Sequence, residues 1–200
     1  MRAPLRRRDL DSDPFVQFRA WFDAAHDAGI PLAETMALAT ASAGGAPSAR
    51  IVLLKGVDRG FVFFTNYGSR KGRELEENRR AALVFHWQAV GRQVRIEGTV
   101  ERIATEESAA YFSSRPRGAQ VGAWASPQSQ AIGNRAELEE RLAAVASDHE
   151  RSDVPLPPFW GGYRLVPERL EFWQHGDDRL HDRFLYERDV VGWRIVRLAP

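Results

Sequence analysis

Apolar and polar positions change their period near residue 35 of this 200-residue chain. Before that point Asp13-Pro14 marks a helix start. Phe15, Phe18, Phe22 and Ala25 then follow helical spacing as far as Gly29. After it the texture turns to short β runs. Residues 36–41 and 50–54 flank Gly44-Gly45 and predict a hairpin, 61–65 a third strand, and 81–87 and 93–103 a pair joined across 89–92. Ser69 caps a short polar helix over 70–78, a second helix covers 105–113, and 136–148 is amphipathic. Residues 118–133 read as a Gly/Ser/Gln loop, and the prolines of 154–158 as a stiff extended connector. Strands at 163–166, 170–174, 184–187 and 193–198 close the chain. Many short sequential strands with few helices between them predict a mainly β, α+β fold. An antiparallel barrel with flanking helices suits this order better than a parallel α/β sheet.

Composition narrows the function. The length fits one domain over 1–200, with 1–12 as a flexible N-terminal arm. A net charge of +1 gives no general pull toward nucleic acid or a membrane surface. With no cysteine there is no disulfide or thiol chemistry. No stretch approaches the ~20 apolar residues of a membrane span, and the Arg-rich start has no apolar run behind it, so a soluble cytoplasmic protein is expected. The five histidines include no His-x-x-x-His pair, so no metal site is expected. There is no Gly-x-Gly-x-x-Gly and no phosphate-loop Gly-Lys-Ser/Thr. Of 28 cationic side chains only Lys55 and Lys71 are lysine, and both lie in motif-like segments.

Several segments carry candidate chemistry. Arg50-Ile-Val-Leu-Leu-Lys55 has a cation at each end, although on local pattern alone it reads as a core strand with snorkelling ends. In 63–72 a strand runs through a Gly turn into a helix start bearing Ser69, Arg70 and Lys71. Free N–H groups and two cations there suit a phosphate; a plain Ser cap with solvated cations is equally open. Alternation places Gln93, Arg95 and Glu97 on one face. Tyr111 and Arg115 stand one helical turn apart and again suit a phosphate. In 171–183 a strand end, a turn at 175–178 and a charged return strand from Arg179 place Arg179, His181 and Arg183 on one face. Separate anion sites, amides and aromatics point to a phosphorylated aromatic cofactor rather than a side-chain nucleophile.

Taken in order, the chain resembles the pyridoxine/pyridoxamine 5′-phosphate oxidase family. The motifs are Arg50-Ile-Val-Leu-Leu-Lys55, Thr65-Asn-Tyr-Gly-Ser-Arg-Lys71, Arg92-Gln-Val-Arg-Ile-Glu-Gly98, Tyr111-Phe-Ser-Ser-Arg-Pro-Arg117, Gly122-Ala-Trp-Ala-Ser126, Phe159-Trp-Gly-Gly-Tyr163 and Arg179-Leu-His-Asp-Arg183. The resemblance implies an antiparallel FMN-binding split β-barrel and a homodimer with FMN at the interface. Residues 159–200 would complete the active site and the dimer region. FMN would be held by Arg50, Ile51, Val52, Leu53, Leu54, Lys55, Phe64, Thr65, Arg70, Lys71, Gln93, Gln128, Ser129, Trp173 and Arg183. The substrate would meet Lys55, Tyr111, Arg115, Arg179 and His181, with Arg179 and His181 as the catalytic pair. The reaction implied is oxidation of pyridoxine or pyridoxamine 5′-phosphate to pyridoxal 5′-phosphate, with dioxygen reduced to hydrogen peroxide. The chain departs from the family pattern at Ala119, where a serine is usual, at His175, where a glycine is usual, and in a shorter arm before Arg6. A related FMN-dependent oxidase of the phenazine-biosynthesis type and a non-catalytic flavin-binding barrel remain open alternatives.

Overall fold

The structure, a computed structural model, describes residues 3–200. Helix α1 (Pro14–Asp27) starts where Asp13 accepts a hydrogen bond from the Phe15 N–H, with proline in the first turn. The strands follow as β1 (Thr35–Ala41), β2 (Pro47–Leu53), β3 (Gly56–Val57) and β4 (Phe61–Asn66). After α2 (Arg70–Glu77) come β5 (Arg80–Trp87) and β6 (Arg92–Arg102). Helices α3 (Thr105–Ser114), α4 (Arg117–Ala125) and α5 (Arg135–Asp148) precede β7 (Trp160–Gln174), β8 (Asp182–Asp189) and β9 (Gly192–Leu198).

Every strand pairing is antiparallel. The main path runs β2-β1-β5-β6-β7-β4-β3, and β8 and β9 extend from β7. Only Leu54 and Lys55 separate β2 from β3, although those strands lie at opposite ends of the path. The sheet must therefore curl until its two ends meet. This is the partly open barrel anticipated from the strand order. The Lys55 N–H donates to Val62 O at 2.8 Å, which carries the β3–β4 pairing into the short link.

Helix α1 fills the barrel because its apolar stripe is aromatic. The Phe18 ring lies 4.9 Å from Phe61 and 5.1 Å from Phe85, and Trp21 meets Phe172 edge-on at 5.2 Å. A second core of Phe112, Val121, Val154 and Trp160 sits under α3 and α4. No helix among the described residues is long and apolar enough to cross a membrane.

The structure departs from the sequence-based expectations in several places. The arm expected to be flexible is packed from Ala3 onward: Leu5 and Leu10 are buried, and Arg197 and Asp182 hold both backbone groups of Leu5. Residues 1 and 2 of that arm lie outside the described residues. The expected loop over 118–133 begins with α4, whose Val121 and Ala125 are buried. The Gln120 amide donates to the carbonyls of Phe112 and Arg115, which ties α4 to the end of α3. The amphipathic α5 buries no side chain and rests on the outside of the domain. The two strands expected at 163–166 and 170–174 are one, bent by a bulge where Glu97/Gly98 of β6 meet it.

That bulge has a strict requirement. A Cβ on Gly98 would stand 2.1 Å from Val166 O, a contact with backbone that cannot swing away. Gly98→Ala is expected to destabilise the fold by roughly 3 kcal/mol, read as a lower thermal midpoint.

The return strand was expected from Arg179, but it begins at Asp182. A 3-10 turn (Asp177–Arg179) intervenes, with Asp178 at φ +53° and Arg179 at φ +63°. Strand alternation therefore does not set the direction of Arg179, and the expected shared face of Arg179, His181 and Arg183 is not formed by a strand. Residues 50–55 are not a core strand either: Ile51 is 65% exposed on the edge strand β2, Val52 is only partly buried against the core, and Leu54 alone is fully buried.

Candidate active site

Strands β2 and β4, helices α2, α3 and α4 and the first residue of β7 enclose a cavity of about 480 Å³. Eight of the expected cofactor residues line it: Ile51, Val52, Leu53, Lys55, Phe64, Thr65, Lys71 and Gln128. Tyr111 and Arg115, expected at the substrate phosphate, line it too. One wall is a stack of near-parallel rings, with Phe64 4.0 Å from Tyr111 and 5.3 Å from Trp160. Such a wall suits a flat aromatic ligand.

The charged groups lining this cavity are cations without counter-ions. Lys71 is buried, and its ammonium donates only to neutral oxygens, Thr65 Oγ1 at 3.1 Å and Gln128 Oε1 at 3.3 Å. Burial, and then the nearby Arg50, hold its pKa below the ordinary lysine value. The Arg115 guanidinium lies 4.8 Å over the Trp160 ring, and its Nη1 is buried with no hydrogen-bond partner. Among the described residues no carboxylate oxygen lies within 4.0 Å of a nitrogen of Lys55, Lys71 or Arg115. Buried donors left without acceptors are expensive in a folded protein. An anion bound in the cavity would satisfy them, so the residues present fit phosphate-bearing ligands.

Ser69 is used as a cap. Its hydroxyl accepts from the Gly72 N–H at 3.2 Å, so that N–H is not free for a ligand. Arg70 does not line the cavity; its Nε donates to Glu74 Oε1 at 2.9 Å. Arg50 is also drawn to Glu74, at 3.2 Å. Leu54 points into the core, and Ser129 follows Gln128 at φ +67°.

Glu74 was not anticipated, since nothing but its i,i+4 spacing from Arg70 marks it. Its buried carboxylate accepts from Thr40 Oγ1 at 2.5 Å and Ser48 Oγ at 2.6 Å as well as from the two arginines. Burial opposes its ionisation, but the hydrogen bonds from Ser48, Thr40, Arg70 and Arg50 outweigh it and lower its pKa from 4.5 to about 2. Because the folded pKa is the lower one, this stabilisation is complete above the unfolded value near 4.5. It is lost as pH falls toward 2. Glu74→Gln is expected to cost roughly 3 kcal/mol at neutral pH and to flatten stability between pH 4.5 and 2, checked by denaturant titration across that range.

The remaining candidates lie elsewhere on the chain. Gln93, Trp173 and Arg183 are register partners across β6, β7 and β8, so they share the face opposite the buried Val94, Phe172 and Phe184. Arg183 donates to the buried Glu171 at 2.8 Å, and Arg95 approaches the same carboxylate at 3.2 Å. His181 lies 4.6 Å from the Trp173 ring and accepts from the Gly176 N–H at its Nδ1. His175 adds a third ring 5.4 Å from His181. Arg179 is exposed at the turn. None of these residues lines the 480 Å³ cavity, so one chain carries two separate groups of candidates. Trp160, missed as a site residue although its motif was noted, belongs to the cavity. Gly161 beside it leaves room for the Tyr67 hydroxyl, which a Cβ would meet at 2.0 Å.

Comparison with known proteins gives the family and the fold. Residues 22–147 match the family model described as pyridoxamine 5′-phosphate oxidase, and residues 160–200 match the pyridoxine 5′-phosphate oxidase C-terminal dimerisation region. The chain is 58% identical over 200 residues to the pyridoxine/pyridoxamine 5′-phosphate oxidase of Rubrobacter xylanophilus, covering 100% of this chain and 92% of that protein. It is 56% identical over 203 residues to the enzyme of the same description from Salinibacter ruber, covering 100% and 94%. Among solved structures, PhzG from Burkholderia lata, in complex with tetrahydrophenazine-1-carboxylic acid, superposes with a TM-score of 0.92 at 33% identity, covering 98% of each chain. A pyridoxamine 5′-phosphate oxidase-related, FMN binding protein from Nostoc punctiforme shares the fold, with a TM-score of 0.74 at 17% identity over 92% and 97% of the two chains. With full-length identity above one half and both sequence regions matched, the chain belongs to the pyridoxine/pyridoxamine 5′-phosphate oxidase family.

Proposed function

We propose that this protein oxidises pyridoxine 5′-phosphate and pyridoxamine 5′-phosphate to pyridoxal 5′-phosphate as an FMN-containing homodimer. The alcohol reacts with dioxygen to give the aldehyde and hydrogen peroxide; the amine also consumes water and releases ammonia. The observation that carries the reading is the ring-walled cavity whose three cations, Lys55, Lys71 and Arg115, have no carboxylate partner. Two phosphates, one from each ligand, would meet that unspent charge.

Lys71, with Thr65 and Gln128 beside it, would hold the FMN phosphate, and Arg70 would join it by leaving Glu74. The β2 edge from Arg50 to Lys55, together with Phe64 and Ser129, would line the rest of the cofactor site. When bound, FMN supplies a two-electron acceptor that dioxygen can regenerate. Lys55, Tyr111 and Arg115 would fix the substrate phosphate and so set the position of the reacting carbon. Arg179 and His181 would cover the pyridine ring, with the imidazole placed to move a proton at the exocyclic substituent.

Gln93, Trp173, Arg183, Arg179 and His181 are supplied by the partner subunit in this reading. The absence of these residues from the cavity of their own chain supports that, as does the match of 160–200 to a dimerisation region. The half-exposed face of β2, with Ile51 uncovered, is the edge such a partner would bury.

The test is oxygen-dependent formation of pyridoxal 5′-phosphate by the yellow, FMN-loaded protein, followed by its absorbance and by peroxide release. A flavin-loaded protein that oxidises neither phosphorylated substrate would overturn the reading. The likeness to PhzG favours a second assay in that case, with a reduced phenazine carboxylate as substrate.

A further inference from the structure

We propose that Arg164 is a positioning residue that pins together the two arms holding the substrate phosphate, an inference that rests on the placement of Lys55, Tyr111 and Arg115 above. Arg164 lies in β7 between β4 and β6, paired with Val62 on one side and Glu101 on the other. Its side chain is 6% exposed and meets three carboxylates. Nε donates to both Asp58 oxygens at 2.9 Å, and Nη2 lies 2.6 Å from Asp58 Oδ2. Nη2 also donates to Glu107 Oε2 at 3.1 Å, and Nη1 reaches Glu101 Oε1 at 3.4 Å. Arg59 pairs with Glu101 from outside.

The carboxylates come from the arms themselves. Asp58 stands three residues after Lys55 in the turn between β3 and β4. Glu107 sits in the first turn of α3, one turn before Tyr111 on the same face, and Arg115 caps the end of that helix. Between the arms lies a cleft of about 360 Å³ lined by Lys55, Asp58, Phe64, Glu107 and Tyr111. Packing leaves that space open, so the guanidinium spans what side-chain contact does not. A buried guanidinium held by partly exposed carboxylates is a poor source of net stability, since its desolvation and solvent screening of its partners offset much of the attraction. Its fixed geometry is the more useful property: a planar fork held by a central strand sets the distance from Lys55 to Arg115.

The test uses the full-length, FMN-loaded protein and the variants Arg164→Gln, Arg164→Lys and Glu107→Gln. Arg164→Gln is expected to raise KM for pyridoxine 5′-phosphate about tenfold while kcat stays within about twofold. The Kd for inorganic phosphate, measured by calorimetry, should rise by about the same factor, with flavin content unchanged. Lysine keeps the charge without the fork, so Arg164→Lys should fall between the two. Glu107→Gln, which frees only α3, should shift both constants in the same direction by about threefold. Unchanged KM and phosphate Kd in Arg164→Gln would overturn the proposal, as would a fall in kcat alone. If Arg164→Gln does not fold, Glu107→Gln decides by the same outcomes. If the parent protein binds phosphate but oxidises neither substrate, the oxidase reading fails and the phosphate constants alone judge Arg164. If it binds no phosphate, both fall.

Discussion

Lys71→Met protein is expected to purify without its yellow colour and to bind added FMN roughly 30- to 150-fold more weakly than the parent. The magnitude follows from one charge-assisted hydrogen bond to a phosphate, about 2–3 kcal/mol. Lys71 is suited to deliver all of it. Its ammonium is buried and has only neutral partners, so no ion pair must break before the phosphate binds. Methionine keeps most of the volume, and Thr65 still donates to Gln128 at 3.1 Å, so the empty cavity should survive the change. Removing an unpaired buried charge even favours the cofactor-free fold, so its thermal midpoint should not fall. Fluorescence titration with FMN gives the affinity and thermal unfolding gives the control. A variant that binds FMN as the parent does would remove Lys71 from the phosphate site.

Arg179→Ala should leave flavin content unchanged and lower kcat/KM by about 100-fold or more, the scale of a lost positioning contact at the reacting ring. Arg179 is exposed and, among the described residues, has no ion-pair partner, so it is free to meet a ligand at the edge of the His181–Trp173 cluster. Alanine at φ +63° is as constrained as arginine there, so the backbone gains nothing from the change. Stability should move by less than about 0.5 kcal/mol. Arg179→Lys separates charge from shape: partial recovery would mean that charge suffices, and none would mean that the planar fork is required. Normal turnover by Arg179→Ala with FMN bound would refute the assignment.

Most of the strands and four of the five α-helices among the described residues were legible because each is bounded by strong punctuation, whereas the two-residue β3 carries none. Asp13-Pro14, Ser69 and the Gly44-Gly45 turn act within a few residues, as capping and turn chemistry does. Helix α4 was hidden because Gly118 and Gly122 lower its propensity, and its stability comes from burying Val121 and Ala125 in a core the local sequence does not reveal. The cavity residues were legible as a set of cations and aromatics in order along the chain. Their supports were not. Apart from the Arg70–Glu74 pair, Glu74 and Arg164 act through partners 24 to 106 positions away, a separation that no local period records. The division of the candidates into two groups was also beyond the sequence, since it follows from the curl of the sheet and from where β6 to β8 face.

Four non-glycine residues among those described have positive φ: Leu32, Ser129, Asp178 and Arg179. Each such backbone costs about 1–3 kcal/mol relative to an ordinary conformation. Selection for heat resistance alone would place glycine at 178 and 179, where it would relax the turn. Doing so at 179 would remove the guanidinium proposed to grip the substrate. Activity and robustness therefore pull this turn in opposite directions. Thermostable descendants of this protein that remain active should gain their stability elsewhere and keep the awkward arginine.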